Sequence, residues 1–90
     1  MPQAIVDPQE LRRFALMLKK FNNEMAERMS ALANQLNDLN NSWRDQEQTK
    51  FRLEFEQHMK MVKAFIEANN QHIPYLLRKA ERIEEYMQQR

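Results

Sequence analysis

The sequence has no glycine and no cysteine among its 90 residues, and each absence argues against a class of structure. An average chain of this length would carry about six glycines at ~7% usage. Glycine supplies the positive φ angles of tight hairpin turns, bulges and phosphate-cradling loops, so all three are disfavoured. Without cysteine there is no disulfide framework and no thiolate chemistry, although this absence leaves the compartment open.

Residues that favour β-strands are also scarce, because valine, isoleucine and threonine together number seven. A chain poor in these residues and in glycine is expected to be nearly all helix. Catalytic groups usually lie on loops, of which such a chain has few. Its aliphatic hydroxyls are Ser30, Ser42 and Thr49, and their spacing to histidine and acid suggests no catalytic triad. We therefore expect a non-enzymatic protein without a cofactor.

Metal-binding patterns are missing too. His58 and His72 are the only histidines. Metal sites in helical bundles use Glu-x-x-His pairs together with inward glutamates on several helices. Glu54 precedes His58 by four residues rather than three, and the apolar stripe of this half contains no glutamate. We predict no metal site.

No sign of charge dominates, since 14 basic and 13 acidic residues are interspersed. This balance excludes the basic stripe of a nucleic-acid-binding protein and the cationic face of an interfacial membrane helix. No apolar run approaches the ~20 residues of a membrane span. The N-terminus lacks the basic patch and apolar core of a signal peptide. We expect a soluble chain made in the cytoplasm, which would leave the cell only by a route that needs no cleaved signal peptide.

A helix start is the clearest local signal. Asp7 is placed to cap a helix, Pro8 fits its first position, and Glu10 completes a capping box. From there apolar residues recur every three or four positions, with one stutter near the middle of the row. The spacing predicts helix one over about residues 8–40.

The bend is predicted at residues 40–42, because Asn is the best substitute for glycine at a left-handed helix end. Ser42 and Asp45 form a second capping signal, which places the start of helix two at about Trp43. Trp43 has two interpretations that stay open: it packs across the end of helix one, or it is exposed as a recognition element for a partner.

Helix two is predicted over about residues 43–88. Its apolar row continues in phase across Pro74, so we expect a kink near Pro74 rather than a break. Two long helices joined by a short bend make an antiparallel helical hairpin, a single domain over residues 1–90. Helix two should extend past helix one by about a dozen residues, beginning near Pro74.

The apolar surface is wider than the one stripe that each helix of a hairpin can bury. The simplest completion is a second hairpin, which gives a homodimeric four-helix bundle; a related hairpin is equally permitted. The stripe residues expected to carry association are Leu11, Phe14, Leu18, Phe21, Leu32, Leu36, Phe55, Val62, Ile66, Ile73, Leu76 and Ile83. Replacing Ile66 with aspartate is expected to dissociate the dimer.

Asn69 is a polar residue at a stripe position. A buried Asn at such a position fixes helix register and oligomeric state. The alternatives are that a kink at Pro74 exposes Asn69, or that it bonds the carbonyl of Asn70 that Pro74 frees.

Several of these features occur together: Val6–Asp7–Pro8, Leu11, a lone Trp43 at the bend, and Phe51 and Phe55 downstream. In this combination the whole chain resembles the Trp-X-Gly (WXG) helical-hairpin family, the early secreted antigen-like substrates of type VII secretion. The bend reads Trp43–Arg44–Asp45, so Asp45 replaces the family's Gly. The family's C-terminal Tyr-x-x-x-acid signal is not matched, because Arg90 follows Tyr86 by four residues.

The sequence looks most like a Trp-Arg-Asp branch of dimeric hairpins of unassigned function. The resemblance implies a homodimeric structural or protein-interaction role, with a secreted type VII-like substrate or secretion adaptor as the alternative. A second alternative is an adaptor that pairs with a related hairpin. The expected partners are a second copy, a related hairpin or a secretion component, and neither nucleic acid nor an inserted membrane.

Overall fold

The structure, a computed structural model, describes residues 6–88 as two helices, α1 (Pro8–Asn40) and α2 (Gln46–Gln88). Side chains from the two helices meet at both ends of the pair: Arg12 contacts Glu84, and Asn40 contacts Gln48. The helices are therefore antiparallel along a rod of 68 × 22 × 14 Å. The all-α antiparallel hairpin predicted from the sequence is confirmed.

The first helix begins as its capping residues predict. Asp7 has an extended backbone, and its side chain accepts a hydrogen bond from the amide of Gln9 at 2.9 Å. Pro8 occupies the first turn, where its missing N–H costs nothing. Glu10 places negative charge at the positive end of the helix dipole.

The bend differs from the expected left-handed turn. Asn41 has φ −69° and ψ −26°, and no residue in the described range 6–88 has a positive φ. Instead the chain tightens, since the amides of Ser42 and Trp43 both donate to the carbonyl of Leu39, at 3.1 and 2.8 Å. The prediction of a left-handed Asn was wrong, because right-handed turns already satisfy the last carbonyls of α1.

The second helix starts at Gln46, three residues later than the sequence predicted. Ser42 donates its hydroxyl to the carbonyl of Leu39 and so serves the end of α1. Asp45 is the capping residue instead, because its carboxylate accepts a hydrogen bond from the amide of Gln48 at 3.0 Å. Ser42 and Asp45 were both candidates to cap α2. Because Ser42 bonds a carbonyl at the end of α1, the cap of α2 is Asp45.

The second helix runs without a break through Pro74. The second helix has 43 residues against 33 in α1, so it is the longer of the two, as the sequence predicted. The excess does not begin at Pro74, because Ala80 is fully buried and the side chain of Glu84 reaches Arg12 in the second turn of α1.

The interior of the hairpin is one seam of heptad-spaced side chains, all buried or half-buried. In α1 they are Leu11, Ala15, Leu18, Asn22, Met25, Met29, Leu36 and Asn40. In α2 they are Gln48, Arg52, Phe55, Met59, Val62, Ile66, Asn69, Ile73, Leu76, Ala80 and Ile83. The gaps alternate between three and four throughout α2 and from Leu11 to Met29 in α1, so the stutter predicted at Met25 to Met29 is absent. Toward the bend the pattern changes, because Leu32 is exposed and Asn40 follows Leu36 by four residues.

The missing stutter has a packing cause. The sequence predicted Phe14 and Phe21 as seam residues. In the structure Ala15 and Asn22 occupy the seam, and the two phenylalanine rings lie beside it. Ala15 and Ala80 are 1% and 0% exposed, and both lie close to the Arg12–Glu84 pair along the chain. Small side chains let the two backbones approach, which leaves no room for a phenylalanine ring between them.

Candidate functional site

The two edges of the seam differ in chemistry. On one edge Arg12 holds Glu84 through two hydrogen bonds of 2.6 and 3.1 Å. We call this the polar edge, and it continues through Asn70. On the opposite edge the rings of Phe21 and Phe65 pack edge-to-face, with 6.2 Å between centroids and 82° between planes.

The edge that carries Phe21 and Phe65 continues as a row of exposed apolar side chains. We call it the aromatic face and define it as Phe14, Met17, Phe21, Met61, Phe65 and Tyr75. These six side chains are between 41% and 69% exposed. Their spacing of three and four places them along one side of each helix. Ala68 and His72 fill the row between Phe65 and Tyr75, so no lysine, arginine, aspartate or glutamate interrupts it.

The hairpin has little interior of its own. Within residues 6–88 the buried hydrophobic residues are Ala15, Ile66 and Ala80, and no large side chain is fully buried. The accessible surface is 7483 Å². A compact monomer of this mass would expose about 5,600 Å². The excess of about 1,900 Å² falls within the roughly 1,000–2,500 Å² that each partner of an obligate dimer buries.

The aromatic face is the most apolar part of this excess accessible surface. Soluble monomers rarely expose contiguous apolar patches larger than a few hundred Å². Six large side chains, adjacent on two helices and free of charge, form a contiguous exposed patch of this kind. The arrangement can bind another apolar surface.

A small polar cluster interrupts the seam. Asn69 donates to Asn22 at 3.1 Å, and Asn22 donates to Asn70 at 2.9 Å and to the carbonyl of Ile66 at 3.4 Å. Asn22 and Asn69 are 2% and 8% exposed, so the proposed exposure of Asn69 at Pro74 is wrong. Sequence reasoning missed Asn22. Asn22 could have been identified from its spacing, four residues after Leu18 and three before Met25. The neighbouring Phe21 was assigned to this position instead because it is larger and apolar.

The twelve residues expected to carry association fall into three groups. Ile66 is buried between the helices. Phe14, Phe21 and Leu32 are exposed. The half-buried group contains Leu11, Leu18, Leu36, Phe55, Val62, Ile73, Leu76 and Ile83. Met17, Met61, Phe65 and Tyr75 were not among the twelve, although they form a second apolar row at the same spacing.

The position of Ile66 changes what its substitution would report. Because this side chain lies inside one hairpin, Ile66→Asp would destabilise the hairpin itself, whatever it does to a dimer. A substitution on the aromatic face is the cleaner test of association.

Aromatic residues also cluster at the bend. The ring of Trp43 lies 5.7 Å from that of Phe51, which lies 5.7 Å from that of Phe55. Trp43 is half-buried: its ring packs on Phe51 of α2, and its amide donates to the carbonyl of Leu39 near the end of α1. Of the two interpretations of Trp43, packing at the tip agrees with this arrangement.

We expect Trp43 to fluoresce at a shorter wavelength than a tryptophan amide in water, because Phe51 shields one side of its ring. Phe51→Ala should shift the emission toward that of the free amide. Leu16→Ala, a change at an exposed site in the first half of α1 and far from the bend, is the control and should leave the spectrum unchanged. Emission from the native chain at the wavelength of the free amide would contradict the packing.

The Arg12–Glu84 pair makes stability depend on pH. The hydrogen bond from Arg12, with a smaller contribution from its positive charge, holds the pKa of Glu84 below the ordinary value of 4.5. The pKa of Arg12 is raised by the same hydrogen bond. A carboxylate whose pKa is lower in the folded state stabilises that state above its unfolded pKa, and this contribution disappears as pH falls through the folded value.

Glu84→Gln should therefore lower the thermal midpoint at pH 7 and have a vanishing effect at pH well below 4. Thermal melts across this range measure the difference between the two chains. Glu85→Gln removes the same charge at an exposed position that forms no ion pair within residues 6–88. An equal loss of stability in both variants at neutral pH would show that general charge, and not the pair, is responsible.

Neither a metal site nor a membrane span was found in the described part of the chain. No group of three His, Cys, Asp or Glu side chains there is arranged to hold a metal ion. Neither α1 nor α2 combines the length and apolar character that crossing a membrane requires.

Comparison with known proteins gives two kinds of similarity. The family described as WXG100, proteins of 100 residues with WXG, matches residues 3–87. A mutant form of the secreted protein EsxB from Bacillus anthracis str. Sterne has a similar structure: TM-score 0.77, 27% identity, 93% of this chain and 97% of that one covered. The selenomethionine-labelled form of EsxB matches with TM-score 0.77 and 27% identity over 96% and 98% of the two chains. Among curated proteins none matches.

Proposed function

Because this chain belongs to the WXG100 family, we propose that it is a non-enzymatic interaction protein in which two hairpins pair through their aromatic faces. The pairing produces a four-helix bundle, in which each helix contacts two neighbours. The single observation that carries the proposal is the aromatic face, which is apolar and uncharged and runs for about 20 Å along α2, from Met61 to Tyr75.

The pairing is favoured to be isologous, with the same face presented by both copies. A two-fold axis near Phe21 and Phe65 would bring the edge-to-face pair of one hairpin against that of the other. Nothing opposes approach at long range, since the net charge is +1. The half-buried seam residues, such as Leu18 and Ile73, would lose their remaining exposure in the same contact.

The mass of the native chain in solution tests the proposal directly. Light scattering behind size exclusion should give twice 11.0 kDa over a wide range of concentration. A mass of 11.0 kDa at every concentration would overturn the homodimer. If the chain then formed a stable complex on co-expression with a related hairpin, the hetero-pairing alternative would take its place.

Secretion is the second candidate role, and the similarity to a secreted protein is the observation that favours it. EsxB and this chain share the hairpin over nearly their full lengths. The chain would then leave the cell as a folded dimer. Immunoblots of culture supernatant and cell lysate test this role, with a cytoplasmic marker protein to exclude lysis. Retention of the chain with the marker would reject it.

A further inference from the structure

The polar edge carries a groove that the aromatic face does not include. It lies between α1 and α2 toward the bend and has a volume of about 470 Å³. Its floor consists of Met29, Leu36, Phe55 and Met59, all half-buried seam residues. The groove exists because Ala33, at the flanking position of α1, is too short to cover this part of the seam.

The rim of the groove is charged on one side only. On α2 it includes Lys60 and Lys63, neither of which forms an ion pair with a described residue. Glu56 also lies on this rim, but Arg52 holds its carboxylate at 3.4 Å. The opposite rim, on α1, is formed by uncharged side chains. An occupant is therefore offered an apolar floor and two lysine ammonium groups.

The groove remains open when the aromatic faces pair. Phe21 and Phe65 lie on one edge of the seam, whereas Lys63 belongs to the opposite edge, with the same heptad position as Asn70 and Glu84. The groove is thus separate from the aromatic face and stays accessible when two hairpins pair through that face, as proposed above.

We propose that this groove binds an amphipathic helix of a partner protein, which has an apolar row for the floor and acidic residues facing Lys60 and Lys63. Methionine side chains suit such a role, since they adapt to the shape of an incoming helix. The floor from Met29 to Leu36 spans two helical turns, or about 10 Å. The partner segment would therefore present apolar residues at positions i, i+3 or i+4, and i+7.

A pair of designed peptides tests the charge preference. Both carry leucines at the i, i+4 and i+7 positions of a labelled helix; one has glutamates along one flank, and the other has lysines there. Fluorescence anisotropy at about 0.05 M salt should show the glutamate peptide binding at least tenfold more tightly, because charge attraction is little screened there. Lys60→Glu with Lys63→Glu should reverse this preference.

Two matched controls separate the groove from general charge and bulk. Lys20→Glu with Lys50→Glu makes the same charge change at exposed sites outside the groove and should preserve the preference. Ala33→Phe should fill the groove and abolish binding. Ala64→Phe adds the same ring on the outer side of α2 and should leave binding intact.

Each contrary result overturns the proposal in a distinct way. If neither peptide binds, or if both bind equally, an acidic amphipathic helix is not the occupant. If Ala33→Phe lowers the mass of the native assembly, a second copy of the chain fills the groove. If laurate shifts the NMR signals of Met29 and Met59 and the peptides do not, the groove is a fatty-acid site. Pairing through the aromatic face is tested by a different variant, Phe65→Asp, so a failure of the peptides to bind and a failure of that pairing are distinguishable.

Discussion

Phe65→Asp is expected to halve the mass of the protein in solution, from twice 11.0 kDa to 11.0 kDa. Phe65 is 52% exposed and stands at the centre of the aromatic face, against Phe21. Fully burying a phenylalanine side chain contributes about 1.5–3 kcal/mol, and about half of that, roughly 0.8–1.5 kcal/mol, is still to be gained by Phe65 on pairing. In a symmetric pair the change occurs twice, which gives about 1.5–3 kcal/mol and weakens association by a factor of about 10 to 100.

An aspartate adds a second penalty, because its carboxylate would enter the interface without a partner. The control is Leu16→Asp, which introduces the same charge at a leucine that is 64% exposed and lies off the aromatic face. This variant should keep the native mass. Circular dichroism of both variants reports whether the hairpin survives dissociation. A native mass for Phe65→Asp would exclude the aromatic face as the interface, whatever the helix content.

Asn22→Ala is expected to destabilise the hairpin by about 1–3 kcal/mol, because it leaves the buried amide of Asn69 without its partner. For a domain of this size that corresponds to a fall in the thermal midpoint of about 4–8 °C per kcal/mol. Asn23→Ala changes the same residue type at an exposed neighbouring position. Its effect should stay within about 0.5 kcal/mol.

A double variant distinguishes stability from specificity. Asn22→Leu with Asn69→Leu removes both partners together, so no buried amide is left unsatisfied, and the thermal midpoint should match or exceed that of the native chain. We propose that Asn69 nevertheless fixes the helix register with Asn22, as a buried Asn does in coiled coils. The double variant should then show more than one mass or broadened NMR spectra. A single, native-like species with raised stability would remove the register role.

The first helix and the all-helical class follow from local chemistry. Asp7 and Pro8 mark a helix start because a capping carboxylate and a missing N–H act within one turn. The absence of glycine excludes most turn types before any packing is considered. Such features depend on neighbours in sequence, so the sequence predicts them well. The start of α2 was harder, since Ser42 and Asp45 are both competent caps and the end of α1 decided between them.

Packing between the two helices decides which side chains are buried inside the hairpin. Phe14 and Ala15, like Phe21 and Asn22, are adjacent in sequence and belong to two rows with the same spacing. The three-and-four spacing of apolar residues fits both rows equally well. The larger phenylalanine side chains suggested that Phe14 and Phe21 lie inside, but the structure leaves both exposed. The structure makes the choice by packing: Ala15 and Asn22 are buried between the helices, whereas Phe14 and Phe21 remain exposed beside them.

The amino-acid sequence alone was enough to establish two helices, their antiparallel return and the family pattern, because capping, periodicity and composition act along one chain. Only the tertiary structure assigned the phenylalanines to an outer face, paired Asn22 with Asn69 and revealed the groove beside Lys63. Each of these depends on which residues of α1 meet which residues of α2. That register is decided by side-chain volume and buried hydrogen bonds across the seam, and neither can be calculated from one helix at a time.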